Sequence, residues 1–164
     1  PWDKDVPVRP WDNESMLPRQ RTDIIKNGRI ASLDYTPFWA QKQGVEAHGR
    51  HGNILMAGGT RSLEEMIAST KKGIVVTRTW YIRMVDPQSL LLTGLTRDGT
   101  FYVENGKIKH PVKNFRFNES PVSMLNNVDE LGKPVVMGGD GRFQMVLPPM
   151  KIRDFNFTSL SDAV

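Results

Sequence analysis

Residues 73–112 carry the strongest structural signal in the sequence, which reads GIVVTRTWYIRMVDPQSLLLTGLTRDGTFYVENGKIKHPV. The first part, 73–85, is β-branched and aromatic almost throughout, which is typical of a strand and predicts a central position in a sheet. Asp98-Gly99 and Asn105-Gly106 supply the positive φ angles that tight hairpin turns require. We therefore expect a meander of strands at 90–96, 100–104 and 107–112.

Two helices are predicted on either side of this stretch. Ser62 and Glu65 fit a capping box, and the helix that follows them is expected to end at 71–73. The second helix is expected over 121–131, where apolar residues recur on one side before Gly132 stops it. Strands at 134–137, 143–147 and 150–155 complete a fold of class α+β, predominantly antiparallel β-sheet with hairpins and one or two short helices.

The first 21 residues differ in composition from the rest of the chain. They are rich in proline and charge and include Trp2 and Trp11. Proline resists both helix and central strand, so we expect an extended Pro-rich arm over 1–21. A β-rich domain then follows over 22–164, with an early hairpin at Asn27-Gly28.

The amino-acid composition limits which classes of protein this chain can belong to. The chain has 164 residues, no cysteine and a net charge of +4. The absence of cysteine excludes disulfides and thiolate metal sites and suits a reducing cytoplasm, where we expect the protein to lie. No apolar run approaches the roughly 20 residues of a membrane span, so no membrane partner is predicted. Because the basic residues are scattered rather than clustered, a nucleic-acid partner is not favoured. The first residue is Pro1, so we expect this chain to be a fragment of a larger protein.

Side chains that could carry chemistry are few. His48 and His51 are three residues apart, but Gly49 and Gly52 beside them argue for a loop rather than a metal-binding helix. No cysteine is present, and no serine lies in a strained glycine-flanked turn. The glycine-rich segments 57–60 and 138–141 lack the lysine and spacing of a phosphate loop, and turns account for both. We therefore predict no catalytic and no metal-ligating residue in this chain.

Three arginines are the candidate substrate-binding residues. Arg78, Arg83 and Arg97 lie within or at the end of predicted strands. An arginine inside an apolar strand requires a carboxylate partner or the opening of a cavity. Either these arginines form internal salt bridges, or they line a groove in which an extended peptide adds to the sheet and its carboxylates bind arginine.

The sequence also resembles a known family. Residues 73–113 and the following FRFNESPVSMLNNV at 115–128 look like the C-terminal domain of the TldD/PmbA family. The segments LTGLTRDG at 92–99 and VENGK at 103–107 carry the resemblance most specifically. These proteins were once labelled modulators of DNA gyrase and are now treated as zinc metallopeptidases.

The resemblance implies a function for a longer protein. Family members are cytoplasmic, form homodimers or heterodimers of an active and a silent subunit, and cut unfolded or precursor peptides. Their zinc is held by two histidines of a His-Glu-x-x-x-His helix, whose glutamate is the general base, and by a cysteine nearer the C-terminus. This chain lacks both elements, and the family's cysteine position falls on Met137 in the segment 137–141. A thioether is a poor zinc ligand, because zinc binds the deprotonated thiol.

Two functional hypotheses follow from the resemblance. In the first, the chain is the C-terminal domain of a metallopeptidase-family protein, where it forms a cleft wall and a dimer contact. In the second, it belongs to a non-catalytic binding or regulatory subunit. In both cases this chain alone is predicted to be inactive, and zinc is expected only in an active intact protein. The expected partners are a peptide substrate, a family paralogue in a homodimer or heterodimer, and the upstream region of the same protein.

Overall fold

A computed structural model describes residues 3–137 and 144–161 of the chain. The chain forms two compact units. The first unit comprises Pro1–Ala57 and Pro134–Leu147, and the second comprises Gly58–Lys133 and Pro148–Val164. In chain order the elements are β1 (Ile25–Lys26), β2 (Arg29–Ile30), α1 (Pro37–Gln43), β3 (Asn53–Leu55), α2 (Leu63–Ala68), β4 (Lys72–Asp86), β5 (Leu91–Glu104), β6 (Lys107–Pro111), β7 (Phe115–Glu119), α3 (Pro121–Asn126), β8 (Val128–Leu131), β9 (Val135–Met137), β10 (Gln144–Leu147), β11 (Met150–Ile152) and β12 (Phe157–Leu160).

The first unit contains a hairpin, one helix and a small mixed sheet. Asn27 and Gly28 connect β1 and β2 with φ angles of 51° and 74°, which confirms the predicted hairpin. In the small sheet, β10 lies between β3, to which it is parallel, and β9, to which it is antiparallel. Helix α1 was not predicted; it begins at a proline and is followed by Gly44, which adopts the left-handed conformation that often ends a helix.

The N-terminal residues 3–21 pack within the first unit. Val6 is fully buried, and its carbonyl accepts a hydrogen bond of 2.8 Å from the Asn53 side chain. The Pro18 carbonyl accepts from the Gly49 N–H at 3.0 Å, and Arg19 Nε donates to the Arg50 carbonyl at 2.6 Å. The described part of the predicted arm is therefore held against residues 49–53.

The second unit is built on a five-stranded antiparallel sheet in which β5 is central. Strand β5 pairs with β4 on one side and with β7 and β6 on the other. The prediction that residues 73–85 lie at the centre is wrong, because within the described chain β4 pairs with β5 alone and forms the edge. Its far end is open to solvent, with Tyr81 56% and Val85 54% exposed. The fold class, α+β with mainly antiparallel sheet, is confirmed.

The Asp98-Gly99 pair lies in a β-bulge and does not form a turn. Strand β5 continues through it, so the predicted separation of 90–96 from 100–104 is wrong. Both residues lie opposite Thr77 with positive φ angles of 62° and 151°, and the Thr77 hydroxyl donates to the Gly99 carbonyl at 3.0 Å. Positive φ serves a bulge as well as a hairpin, which is why the sequence pattern was ambiguous.

The helices are shorter than the sequence predicts. The Ser62–Glu65 capping box is confirmed, but α2 ends at Ala68. Helix α3 ends at Asn126, and residues 128–131 form strand β8, which pairs with β11. The apolar residues that suggested a longer helix instead belong to this strand pair. No helix in the described part of the chain is long and apolar enough to span a membrane.

The turn between β5 and β6 is fixed against the end of α2. Asn105 and Gly106 form the predicted hairpin turn, with φ angles of 50° and 75°. The Asn105 N–H donates to the Lys71 carbonyl at 2.8 Å and the Gly106 N–H to the Thr70 carbonyl at 2.9 Å. A β-carbon at position 106 would lie 2.5 Å from the Ala68 carbonyl oxygen. Position 106 therefore requires glycine for both its conformation and its close backbone contact.

Replacing Gly106 by alanine should lower the free energy of unfolding more than the same change at Gly28. Both glycines have nearly the same positive φ, 75° and 74°, but the space around Gly28 is open. The left-handed conformation costs both variants about 1–2 kcal/mol, whereas overpacking against Ala68 should cost only Gly106→Ala a further ~1–3 kcal/mol. Urea unfolding of the two variants measures the difference. Equal losses would contradict the close contact between the turn and α2.

Candidate functional site

The structure brings two of the three candidate arginines together. Arg78 on β4 and Arg97 on β5 are direct cross-strand partners in the hairpin. Arg83 lies further along β4, opposite Thr93, where its guanidinium donates to the Ile82 carbonyl at 2.9 Å and lies 4.1 Å from the centre of the Tyr81 ring. Arg83 is therefore not part of the cluster around Arg78 and Arg97.

One carboxylate is shared between these two arginines. Asp98 Oδ2 accepts from Arg78 Nη1 at 2.8 Å, and Asp98 Oδ1 lies 3.6 Å from Arg97 Nε. The ion pairs expected as one alternative are present, but they are not internal, since the side chains of Arg78 and Asp98 are 57% and 49% exposed. Such exposed pairs stabilise a fold by only about 0–1 kcal/mol.

An aromatic ring completes the group. The Arg97 guanidinium carbon lies 4.2 Å from the centre of the Trp80 ring, a distance typical of a cation–π contact. Arg78 and Trp80 are two residues apart in an unbroken part of β4, so they lie on one face of the strand. We call Arg78, Trp80, Arg97 and Asp98 the arginine–tryptophan cluster. Its donors and stacking surface suit a carboxylate beside an apolar group.

The main chain beside the cluster is available for pairing. Because β4 is an edge strand in the described structure, N–H and C=O groups along its outer side have no strand partner there. Residues from Lys72 to Trp80 run without an extra residue in β4, whereas Tyr81 and Ile82 form a bulge opposite Gly94, with Tyr81 at a φ of 54°. The outer edge therefore has one regular segment next to the cluster and one distorted segment beyond it.

The first unit contains a separate cavity of about 680 Å³ that includes several polar side chains in its lining. Here His51 Nε2 lies 3.0 Å from Asp34 Oδ1, but this buried nitrogen has no aligned hydrogen-bond partner in the described structure. The His48 and His51 rings are 5.6 Å apart, and both residues lie in a loop. The remaining polar lining includes Asp12, Glu14 and Arg50, the last two forming an ion pair of 2.8 Å.

Asp12 illustrates how the acidic side chains of this cavity are already engaged. The hydroxyl and main-chain N–H of Ser15 donate to its carboxylate, and they hold the pKa of Asp12 below its ordinary value. Arg19 adds an ion pair at 3.6 Å. The Asp12 carboxylate is therefore already engaged by Ser15 and Arg19.

The described residues do not fit a zinc site. Within residues 3–137 and 144–161, no group of three or more His, Asp and Glu side chains is arranged to hold a metal ion. Met137, at the position where the resemblance implies a cysteine, lies in β9 and is 40% exposed. The rest of that segment, 138–141, lies outside the described residues.

Two members of the arginine–tryptophan cluster were missed by sequence reasoning. Asp98 was assigned to a hairpin turn, because the Asp-Gly pair is the usual signal for one. Trp80 was read only as part of an apolar strand. The alternation of Arg78 and Trp80 was the available signal, since residues two apart in a strand share a face. The Asp34–His51 pair had no such signal, because its members come from different loops.

Comparison with known proteins gives consistent results. A family model described as the PmbA/TldA metallopeptidase C-terminal domain matches residues 3–159. Metalloprotease PmbA of Escherichia coli O157:H7 is 29% identical over 154 residues, which cover 91% of this chain and 33% of that protein. The chain thus spans about a third of the length of this curated relative.

Solved structures share the fold. TldE from Thermococcus kodakarensis superposes with a TM-score of 0.72 and 21% identity, covering 91% of this chain and 35% of that one. A Thermotoga maritima protein, whose name proposes that it modulates a DNA gyrase, has a TM-score of 0.77 and 21% identity, with coverages of 92% and 35%.

Proposed function

The chain belongs to the PmbA/TldD metallopeptidase family, whose C-terminal domain it matches, and from this premise we propose that it works within a longer protein that acts on unfolded or precursor peptides. The match over residues 3–159 is the observation that carries the proposal. In this function the domain forms a wall of the peptide cleft and part of a dimer contact. Catalysis itself requires residues outside this chain.

The outer edge of β4 supports the role of cleft wall. An extended peptide that adds to an edge strand is held by main-chain hydrogen bonds, which do not depend on its side chains. This mode suits an unfolded substrate. Arg78 and Arg97 lie beside the regular part of the edge, and Arg83 lies beside the bulged part. All three arginines are proposed to bind the substrate.

The exposed end of the β4–β5 hairpin supports the dimer contact. Apolar side chains lie there beyond Arg83, and Met84, Val85 and Leu90 are between 44% and 54% exposed. Exposed apolar surface marks contact sites in soluble proteins when it forms a large patch. We propose that a second chain of the same family covers it, in a homodimer or a heterodimer.

The proposal assigns no metal to this chain. Zinc, if the intact protein is active, would be bound outside the described residues, since these do not fit a zinc site. The chain alone is accordingly proposed to be inactive. A cytoplasmic location is also proposed; it is supported by the absence of cysteine from the sequence.

A non-catalytic subunit is the second candidate function. It is favoured by Met137, because a neutral thioether does not replace a thiolate as a zinc ligand. In that case the same cleft wall would bind peptide or a partner without cleaving it. Peptide cleavage by the unmodified intact protein would contradict this second candidate and support the first.

Met137→Cys in the intact protein distinguishes the two candidates. If the protein is a silent subunit that lacks only the thiolate, the change should raise its zinc content towards one ion per chain and allow cleavage of an unfolded peptide. Met150→Cys, in β11, is the matched control and should change neither. Metal analysis and a peptide-cleavage assay are the measurements. An unmodified protein that already contains zinc and cleaves peptide would rule out the silent subunit.

Alanine at Arg78, Arg83 or Arg97 should weaken peptide binding by about fivefold each, the effect of losing one exposed charge pair. The melting temperature should stay nearly unchanged, because exposed ion pairs contribute little to stability. Arg153→Ala is the control, since Arg153 forms an equally exposed ion pair of 2.6 Å with Asp129. Titration with a labelled unfolded peptide and thermal melts are required. A parallel loss of stability would identify these arginines as structural.

A further inference from the structure

The arginine–tryptophan cluster contains more positive than negative charge. Two guanidinium groups converge on the single carboxylate of Asp98, which uses Oδ2 for Arg78 and Oδ1 for Arg97, at 2.8 and 3.6 Å. The longer distance leaves Arg97 incompletely paired. Because a guanidinium presents several N–H donors in a fixed fork, a further carboxylate could be bound at the same place.

The local backbone explains why Asp98 occupies this position. The bulge inserts an additional residue into β5 opposite Thr77, and Asp98 adopts a φ of 62° there. Aspartate and asparagine tolerate this left-handed conformation better than most residues. The Thr77 hydroxyl holds the bulge through its hydrogen bond to the Gly99 carbonyl. The bulge therefore places the Asp98 carboxylate next to Arg78.

The ion pair between Arg78 and Asp98 can be replaced by another ion pair at little cost in free energy. The side chains of Arg78 and Asp98 are about half exposed, so water can solvate either one when the other leaves. Arg97 is only 33% exposed, and its contact with Trp80 keeps the guanidinium ordered without Asp98. One arginine is therefore fixed and the other is free to turn towards a new partner.

We propose that the cluster is a carboxylate-binding subsite and that Asp98 is a resident competitor for it, which makes this edge selective for acidic peptides. This inference rests on the proposed binding of extended peptides along β4. An acidic side chain of the peptide displaces Asp98 from Arg78. Since Arg78 and Trp80 share one face of the strand, the preferred segment has an apolar residue two positions from the acidic one.

The test uses the intact protein and two unstructured peptides that differ only in one Glu or Gln residue, each with Phe two positions away. The unmodified protein should bind the Glu peptide about fivefold more tightly than the Gln peptide. Asp98→Asn retains the left-handed conformation and removes the competing charge. It should strengthen Glu-peptide binding by a further ~fivefold and leave Gln-peptide binding unchanged.

Two further variants complete the design. Asp129→Asn breaks the comparable ion pair with Arg153 and should change neither affinity. Arg78→Gln should abolish the preference for Glu. The inference is overturned if Asp98→Asn weakens or does not alter Glu-peptide binding, or if it lowers the melting temperature as a purely structural pair would. If the unmodified protein binds the Glu and Gln peptides equally, the proposed selectivity is overturned but the proposed peptide binding is not. If it binds neither peptide, the proposed peptide-binding function is overturned as well.

Discussion

The antiparallel pairing of β4 with β5 is the interaction on which the second unit depends. It runs from the Lys72–Glu104 pair to the Asp86–Leu91 pair, and it turns β5 into the central strand to which β6 and β7 are added. The Asn105-Gly106 turn, which follows β5, is held by hydrogen bonds to the carbonyl groups of Thr70 and Lys71, just after α2. The same pairing leaves the other side of β4 without a strand partner in the described structure. The pairing that builds the sheet therefore also creates the open edge of the candidate site.

Bulges restrict where another strand could pair with the long edge formed by β4. An exposed, regular, apolar edge strand is an aggregation hazard, and an extra residue in a strand interrupts pairing. The bulge at Tyr81-Ile82 distorts the C-terminal half of β4. The bulge at Asp98-Gly99 lies in β5 and leaves the N-terminal half of β4, from Lys72 to Trp80, regular. The first limits where a strand can add, and the second supplies the carboxylate beside that place. In the proposed binding mode, both features would direct an added strand towards the arginine–tryptophan cluster.

Two kinds of signal that depend on neighbouring residues alone were reliable in this sequence. The Asn-Gly hairpins and the Ser62 capping box follow from local backbone chemistry and were confirmed. Strand position was not predictable, because hydrophobicity could not show that β4 lies at the edge while the threonine- and glycine-containing β5 lies at the centre. Asp98 was misassigned for a similar reason, since positive φ serves both turns and bulges. The cluster could be found only once the cross-strand register was known.

The chain belongs to the PmbA/TldD metallopeptidase family, and its proposed role there is to hold a peptide. The central claim is that an extended peptide pairs with the outer edge of β4. Hydrogen–deuterium exchange of the intact protein, with and without a saturating unfolded peptide, tests this claim most directly. The account predicts slower exchange of main-chain amides between Lys72 and Trp80, because peptide carbonyls would accept their hydrogen bonds. Protection elsewhere, with β4 unchanged, would contradict it.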